Sequence, residues 1–417
     1  MRKTRICVLN SHPIQYFAPL YAFLNQQPDL EVSVIYLSDC GVHDGHDDGF
    51  QRKVVWDVDL LEGYPYQFIS GAAKRRSLSG KFLSIWAPAV WGAIRSGGFD
   101  VLWLHGHGYA ANVIALLAAR SIGLPVLMRC ETHLGLRRGH LKALVRKPAL
   151  GGLYGLCTGF LAIGSANEDF YRWLEIPQSR IFRVPYAVDN KRFINAAHLT
   201  PAERAEVRRS LGVHDEQPIV LYAAKFQRHK RPHDLVQACQ RLVGEGVSFH
   251  LVMVGSGEME KELKEMVGQD DRRHWLHFPG FINQSQLPRV YGAADVFVLP
   301  SEEEPWGLVV NEAMCAGLPI IATSAVGSAR DLVRQGENGA IYRAGSVEDL
   351  AAALKPMLAD PSRRAAMSRR SLELISEWGF EQCLTGLRKA LAASLTGSVQ
   401  ADGMATEDIT RAHVSET

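Results

Sequence analysis

The sequence predicts an α/β protein of two Rossmann-like domains, and three observations predict it. Short apolar runs alternate with helical stretches along nearly the whole chain, which is the habit of parallel sheets with helices on both faces. The runs fall into two series separated by a polar connection. A length of 417 residues is too great for one core and suits two domains, or three at most.

In the first series the predicted strands are Arg5 to Leu9, Glu31 to Tyr36, Val101 to Leu104, Pro125 to Met128 and Phe160 to Ile163. In the second they are Ile219 to Tyr222, Phe249 to Val254, Val296 to Leu299 and Pro319 to Ala322. Each is a continuous apolar run, as expected of strands covered on both faces. The connection runs through VPYAVDNKRF (184–193) and a polar helix at 200–211, placing the domains at 1–188 and 189–376. A last helix is expected from Trp378 to Ala393, within a segment 377–395. From Thr396 the chain turns polar and patternless, so 396–417 is expected to be a disordered tail.

With 47% hydrophobic and 22% charged residues the composition is that of an ordinary globular protein, and a net charge of +2 creates no demand for nucleic acid. Seven scattered cysteines without a CxxC argue for a reducing compartment and against a disulfide framework or a zinc site. No secretory signal is visible, and the uncharged stretch 148–167 is too rich in glycine to read as a membrane span; a short helix and a strand fit it better. The expected location is cytoplasmic.

The most informative stretch is SEEEPWGLVVNEAMCAGLP (301–319), which follows the strand at 296–299. Ser301 to Pro305 reads as a loop and Gly307 to Ala316 as a helix, with Gly317 at its C-cap and Pro319 beyond. Glu304 then stands just before the helix and Glu312 about two turns inside it. Eight residues of helix correspond to roughly 12 Å of rise and about 80° of rotation, so the two carboxylates cannot grip one metal; they suit the two ends of an elongated ligand. Between them the free amides near Trp306, Gly307 and Leu308 can hold an anion or a ring of hydroxyls, and Gly307 lets the backbone approach closely.

This stretch resembles the signature of retaining glycosyltransferases of the GT-B fold (family 4, group 1), in which two carboxylates are separated by seven residues in a context like FGLVVLEAMACGLPVV. Glu304 and Glu312 match the carboxylates, Trp306 stands for the usual Phe, and Gly307, Leu308, Ala313, Met314, Gly317 and Pro319 agree. The resemblance implies that Glu304 meets donor-sugar hydroxyls and Glu312 the nucleotide ribose. It implies a last helix crossing back to the first domain, a nucleotide-sugar site in the second domain and acceptor contacts in the first. Lys225 and Lys230, in the strand-to-helix turn YAAKFQRHKRP, match the family's diphosphate-neutralising pair, although the Gly of its GRL is Ala224 here. By the same resemblance Gly255 lies near the nucleotide, and the backbone of Phe281, Ile282 and Asn283 meets the base. His105, at the end of the strand 101–104, aligns best with a His that faces the donor sugar.

The first strand-to-helix turn, SHPIQYFAPL, departs from the family's double glycine and makes His12, Gln15 and Tyr16 candidates for acceptor or phosphate contacts. Arg129, Glu131 and His133 follow another strand and are placed for the cleft. From Arg137 to Lys147 five basic residues occur without an acid, and Arg138, Lys142 and Arg146 stack at i, i+4 and i+8. Such a helix fits an anionic membrane surface or lipid-linked acceptor, and equally a solvated face. Asp57 and Asp59 form a DxD, but the second-domain signature outweighs it, and neither a metal nor another cofactor is expected.

The resemblance thus implies a hexosyltransferase, metal-independent and retaining, that moves a hexose from a nucleoside-diphosphate sugar to a glycan or glycolipid, as in cell-surface polysaccharide synthesis. A sugar-nucleotide epimerase, a phosphorylase or a non-catalytic sugar-nucleotide-binding module are the rivals.

Overall fold

The computed structural model describes residues 2–42, 45–47, 49–71, 81–136, 140–268 and 274–411. The first domain carries a seven-stranded sheet in the order β5-β2-β1-β6-β7-β8-β9. Its strands are β1 (Thr4–Asn10), β2 (Leu30–Tyr36), β5 (Tyr66–Phe68), β6 (Val101–His105), β7 (Val126–Arg129), β8 (Gly159–Ala162) and β9 (Ile181–Arg183); β3 (Gly45–Asp47) and β4 (Arg52–Val54) form a separate antiparallel hairpin. The second domain carries β10 (Ile219–Ala223), β11 (His250–Val254), β12 (Leu276–Gly280), β13 (Val296–Leu299), β14 (Ile320–Thr323) and β15 (Gly339–Tyr342), in the order β12-β11-β10-β13-β14-β15. All pairings within these two sheets are parallel.

Both strand orders reverse direction at one strand. From β1 the chain winds outward to β2 and then returns to the other side at β6; from β10 it winds to β11 and β12 and returns at β13. The helices after β1 and after its neighbour across the reversal cover opposite faces, so a crevice opens beyond the carboxyl end of that strand. The turns after β1 and β10, which hold His12, Gln15 and Tyr16 in one domain and Lys225 and Lys230 in the other, therefore face each other for topological reasons. The central strands are fully buried, which explains their unbroken apolar composition.

The connection between the sheets is set by caps. Asp189 accepts from the Arg192 amide at the start of the helix Asn190–Ala197, and Thr200 with Glu203 forms a capping box on Pro201–Ser210. The final helix, Phe380–Arg411, packs on β8 and β9 of the first domain. It therefore returns across the molecule, and it runs past Thr396 through the stretch expected to be a disordered tail. Residues 401–411 contain no Pro, and their one glycine, Gly403, costs only about 1 kcal/mol, so the helix can continue through them; residues 412–417 lie outside the described ones.

Within the two sheets, the strands not named from sequence, β5, β9, β12 and β15, are the four edges. They are short and of mixed polarity because one side of an edge meets solvent or a covering loop.

The return helix depends on close approach. An atom added at Gly386 Cβ would stand 1.8 Å from the carbonyl oxygen of Arg183 at the end of β9. Gly386→Val is expected to destabilise the protein by about 1 to 3 kcal/mol, since neither backbone can move without unseating the helix. Urea unfolding with an unchanged midpoint would show that the helix docks elsewhere.

Candidate functional site

A cavity of about 610 Å³ lies between the domains. The first domain contributes the turn after β1 and the segment after β7; the second contributes the turns after β10, β11 and β12 and the start of the helix Leu308–Cys315.

Glu304 precedes that helix and is fixed twice through its backbone. Its carbonyl accepts from the Gly327 amide at 3.1 Å and from His133 Nε2 of the first domain at 3.1 Å. Because the Gly135 amide donates to Nδ1, His133 is the neutral tautomer with its proton on Nε2. The Glu304 carboxylate forms a mostly buried ion pair with Lys230. The lysine and the carboxylate are thus one unit, and removing either partner strands a charge.

Gly307 begins the helix at φ +86°, and a Cβ there would also press on Leu299 and on Glu304 Cγ at 3.0 and 3.1 Å. Only glycine suits a left-handed position so confined. The helix is shorter at its start than expected, Leu308 to Cys315, so Glu312 sits little more than one turn in. Gly317 follows at φ +72° as anticipated for the C-cap.

Glu312 is fully buried. Oε2 accepts from the Tyr291 hydroxyl at 2.7 Å, whereas Oε1 has no hydrogen-bond partner among the described residues. Burial pushes its carboxyl up to about 7, against the opposing pull of Tyr291, Arg192, Tyr16 and Gln284. A buried acceptor with an open lone pair at the cavity wall is what a diol would complete.

Lys225 lies over the Phe50 ring at 4.7 Å, and its aliphatic stem packs on the Gly49 backbone. Gly255 is tight for a different reason: a Cβ there would stand 2.1 Å from the Ala224 carbonyl oxygen, so the turns after β10 and β11 interlock. Phe281 and Ile282 line the cavity, and Gln284 beside them is clasped by Arg192 through its carbonyl at 2.9 Å and its side-chain oxygen at 3.1 Å. A first-domain arm crosses here: Phe50 meets Phe281 edge-on at 5.0 Å, and Asn283 donates to the Val55 carbonyl at 2.8 Å.

On the opposite wall His12, Gln15, Tyr16, Glu131 and Tyr186 line the cavity. Tyr186 donates to Glu131 Oε1 at 2.7 Å. Glu131 is open to cleft solvent yet enclosed by protein on its other sides. Its carboxyl is held above the ordinary range by that enclosure and by Glu304, against Tyr186 and Arg129.

Two candidates stand behind this wall. His105 Nε2 shares a hydrogen bond with the Tyr21 hydroxyl at 2.9 Å, that hydroxyl accepts from Asn10, and the imidazole stacks on Trp103. Burial and Arg129 hold the imidazole well below its usual range, so it is neutral and faces Tyr21 and Phe17 rather than the lining residues. Arg129 is buried among Phe17, Trp103 and Tyr186 and donates to the Val184 carbonyl. Of the DxD, Asp57 accepts from Ser285 and Asp59 from the Leu61 and Glu62 amides, which are turn and seam contacts.

The basic run is only partly described. Arg137 and Arg138 lie outside the described residues, as does the Lys142 side chain, within a helix His140–Gly155. Arg146 lies over Phe170 of the domain body, and Lys147 pairs with Glu175. The end of the run thus turns inward, because its i+8 position meets an aromatic ring. Among the described residues no helix is long and apolar enough to cross a membrane.

Tyr186, Tyr291, Gln284 and Phe50 were not singled out from sequence. Tyr186 had a signal, since VPYAVDN was noted, but only as a connection between domains.

Residues 203–373 match the family described as glycosyl transferases group 1. An uncharacterized glycosyltransferase of Methanocaldococcus jannaschii is 32% identical over 186 residues, 45% of this chain and 47% of its own. The D-inositol 3-phosphate glycosyltransferase of Geodermatophilus obscurus is 31% identical over 224 residues, 52% of this chain and 48% of its own. The chain spans about half the length of these curated relatives. Among solved structures, Anabaena HepE in complex with UDP superposes with a TM-score of 0.70 at 16% identity, over 94% of this chain and all of that one. That likeness shows the two-domain fold.

The site leaves a stability signature. Glu312 holds its proton to about pH 7 when folded, whereas an unfolded glutamate releases it near 4.5. Its contribution to stability is therefore present below about pH 4.5 and is lost as pH rises through 7, by at most about 3 kcal/mol. Glu312→Gln should make the ligand-free protein more stable at pH 8 and flatten its stability between pH 5 and 8. Parallel curves for the two proteins in chemical denaturation would refute the buried-acid account.

Proposed function

We propose, taking residues 203–373 as the group 1 glycosyl transferase domain that they match, that the chain transfers a hexose from a nucleoside-diphosphate sugar to a hydroxyl of a glycan or glycolipid, with retention at the anomeric carbon. The observation that carries this is the second-domain wall of the cavity. It sets the Lys230–Glu304 pair, the amino end of the helix Leu308–Cys315 and the open carboxylate of Glu312 in a row matching sugar, diphosphate and ribose.

In this reading the Glu312 Oε1 accepts from the ribose diol, which relieves the cost of burying it. The diphosphate lies against the helix amides, with Lys230 and Lys225 offsetting charge that grows as the anomeric bond breaks. Glu304 hydrogen-bonds the donor hexose, and its double backbone anchor fixes the sugar's position.

The first-domain wall receives the acceptor. Glu131 is the solvent-exposed acid of the first-domain wall and has a free second oxygen among the described residues, whereas Glu304 is paired with Lys230 and Glu312 lies buried in the second-domain wall. It takes the proton of the attacking hydroxyl while that oxygen bonds the anomeric carbon and the electron pair of the broken bond leaves on the diphosphate. Attack on the face of the departing diphosphate gives retention.

A thermal-shift panel with UDP, GDP, ADP and dTDP tests the donor class, with UDP-glucose as the first sugar because the Anabaena neighbour was solved with it. A ligand at about 100 times its dissociation constant adds roughly 2.7 kcal/mol of stability. Glu304→Gln should keep nucleoside-diphosphate affinity while slowing donor turnover on the order of a hundredfold. Absence of a shift with every nucleotide would remove the reading altogether.

The acceptor wall has its own test. Glu131→Gln keeps an oxygen for Tyr186 and should leave donor affinity within about threefold while lowering single-turnover transfer or donor hydrolysis by 10² to 10⁴, the usual range for a general base. An unchanged rate, or a hexosyl adduct on Glu131 in intact mass after donor alone, would exclude the base role.

A further inference from the structure

One turn beside the cavity carries backbone strain that a glycine would relieve. The 3₁₀ turn Arg228–Lys230 ends at Arg231, which also caps the helix Pro232–Gly244 and stands at φ +49° and ψ +44°. Residues with a side chain rarely adopt this left-handed conformation, and the residue before a proline is ordinarily extended. An arginine at such a position is held there by what its side chain does.

Its guanidinium joins two pieces of the second domain. Nε and one terminal nitrogen donate to the two oxygens of Asp234, at 2.6 and 3.0 Å, and the other terminal nitrogen donates to Glu302 at 3.1 Å. Asp234 is buried in the first turn of the helix, with His233 Nε2 3.1 Å from one of its oxygens. Glu302 belongs to the loop that leads to Glu304, and its amide donates to the His229 carbonyl at 2.9 Å. That loop is fixed from behind, because Thr323 donates to the Ser301 carbonyl and the Glu304 carbonyl has the two anchors described above. The turn carrying Lys230 therefore leans on the loop carrying Glu304 through Glu302, which it meets at His229 and Arg231 on either side of the lysine. Lys230 lines the cavity, whereas the Arg231 guanidinium is engaged by the two carboxylates. While the cleft is empty Lys230 is also held by Glu304. A diphosphate that draws the lysine away removes that hold, and the turn then depends on its two contacts with Glu302.

We propose that Arg231 is a positioning residue for diphosphate binding: by tying its turn to Glu302 it keeps Lys230 aimed at the phosphates once the pair with Glu304 opens. The inference rests on the transfer reading above and adds to it a residue that acts through Lys230. The left-handed backbone follows from placing a forked cation between two carboxylates, a task that the point charge of a lysine cannot perform.

Calorimetric titration of the full chain with UDP, GDP, ADP and dTDP, each beside its own nucleoside, tests this. Arg231→Gly suits the left-handed backbone and leaves His233 beside Asp234, so the variant should fold. Its affinity for the diphosphate that binds should fall about tenfold with nucleoside affinity kept within about twofold, and single-turnover transfer or donor hydrolysis should fall roughly ten- to a hundredfold. Glu302→Ala cuts the tie while leaving the Arg231–Asp234 pair, and should give the same pattern even if Arg231→Gly proves unstable. In a Lys230→Ala background neither change should weaken diphosphate binding further. Unchanged diphosphate affinity in both variants overturns the proposal. So do equal losses for nucleoside and diphosphate, or a loss that adds in full to that of Lys230→Ala, because the effect would then lie in the fold and not in the lysine. If no diphosphate binds the unmodified protein, the transfer reading falls first and this inference falls with it.

Discussion

The site exists only while the two sheets face each other, and the seam that holds them there is packed around Trp306. Its indole is buried, donates to Asn311 Oδ1 at 2.9 Å and stacks on Trp378 at 5.4 Å. It lies so close to the first domain that a Cβ on Gly164 would stand 2.2 Å from its ring. Asn311 passes the contact on by donating to the Tyr186 carbonyl at 2.9 Å, and next to it Asp331 accepts from the Ser165 amide at 2.8 Å and pairs with Arg183. Trp306, Asn311 and Glu312 belong to one short stretch, so the residues that hold the domains in register also carry the buried carboxylate at the cavity wall. Domain geometry and site geometry cannot vary independently.

The charges of the cavity are arranged to be incomplete. A folded protein at its most stable would neither bury Glu312 with one oxygen unsatisfied nor leave Glu131 against a second carboxylate. Each arrangement stores free energy that hydrogen bonds from a polyhydroxylated ligand would release. The Lys230–Glu304 pair does the opposite, keeping its two charges compensated; under the proposed reading a diphosphate would compete for the lysine. The cavity thus combines groups waiting for partners with a pair that can exchange one, which is the condition for differential binding of a reacting donor.

Much of this was legible in the sequence because it follows from local rules. Central parallel strands must be apolar throughout, and the helix after Pro305 is bounded by Gly307 and Gly317, so the positions of Glu304, Glu312, Lys225 and Lys230 could be assigned to turns and helix starts before any coordinate. The first-domain wall was less legible. His105 has the residue type and strand position of a site histidine, but Tyr21 and Phe17 interpose, and only the packing reveals that. Tyr186 and Gln284 act through partners about 55 and 92 residues away, separations that no local pattern encodes.

The two sides of the cleft are held with unequal strength. Around Trp306 the contacts are buried, aromatic and hydrogen-bonded, so breaking them would strand polar groups away from water. On the far side the first-domain arm reaches the second domain through the rings of Phe50 and Trp56 against Phe281 and through two solvent-exposed hydrogen bonds, Asp57 with Ser285 and Asn283 with the Val55 carbonyl, which water readily replaces. Lys225 meets the same arm over the Phe50 ring, an attachment that a diphosphate anion would outcompete electrostatically. A donor entering the cavity therefore meets its least resistance at the arm and its firmest support at the seam. Under the proposed reading the displaced lysine is one that would meet the phosphates of the donor, so a contact across the cleft would become a contact that holds the ligand.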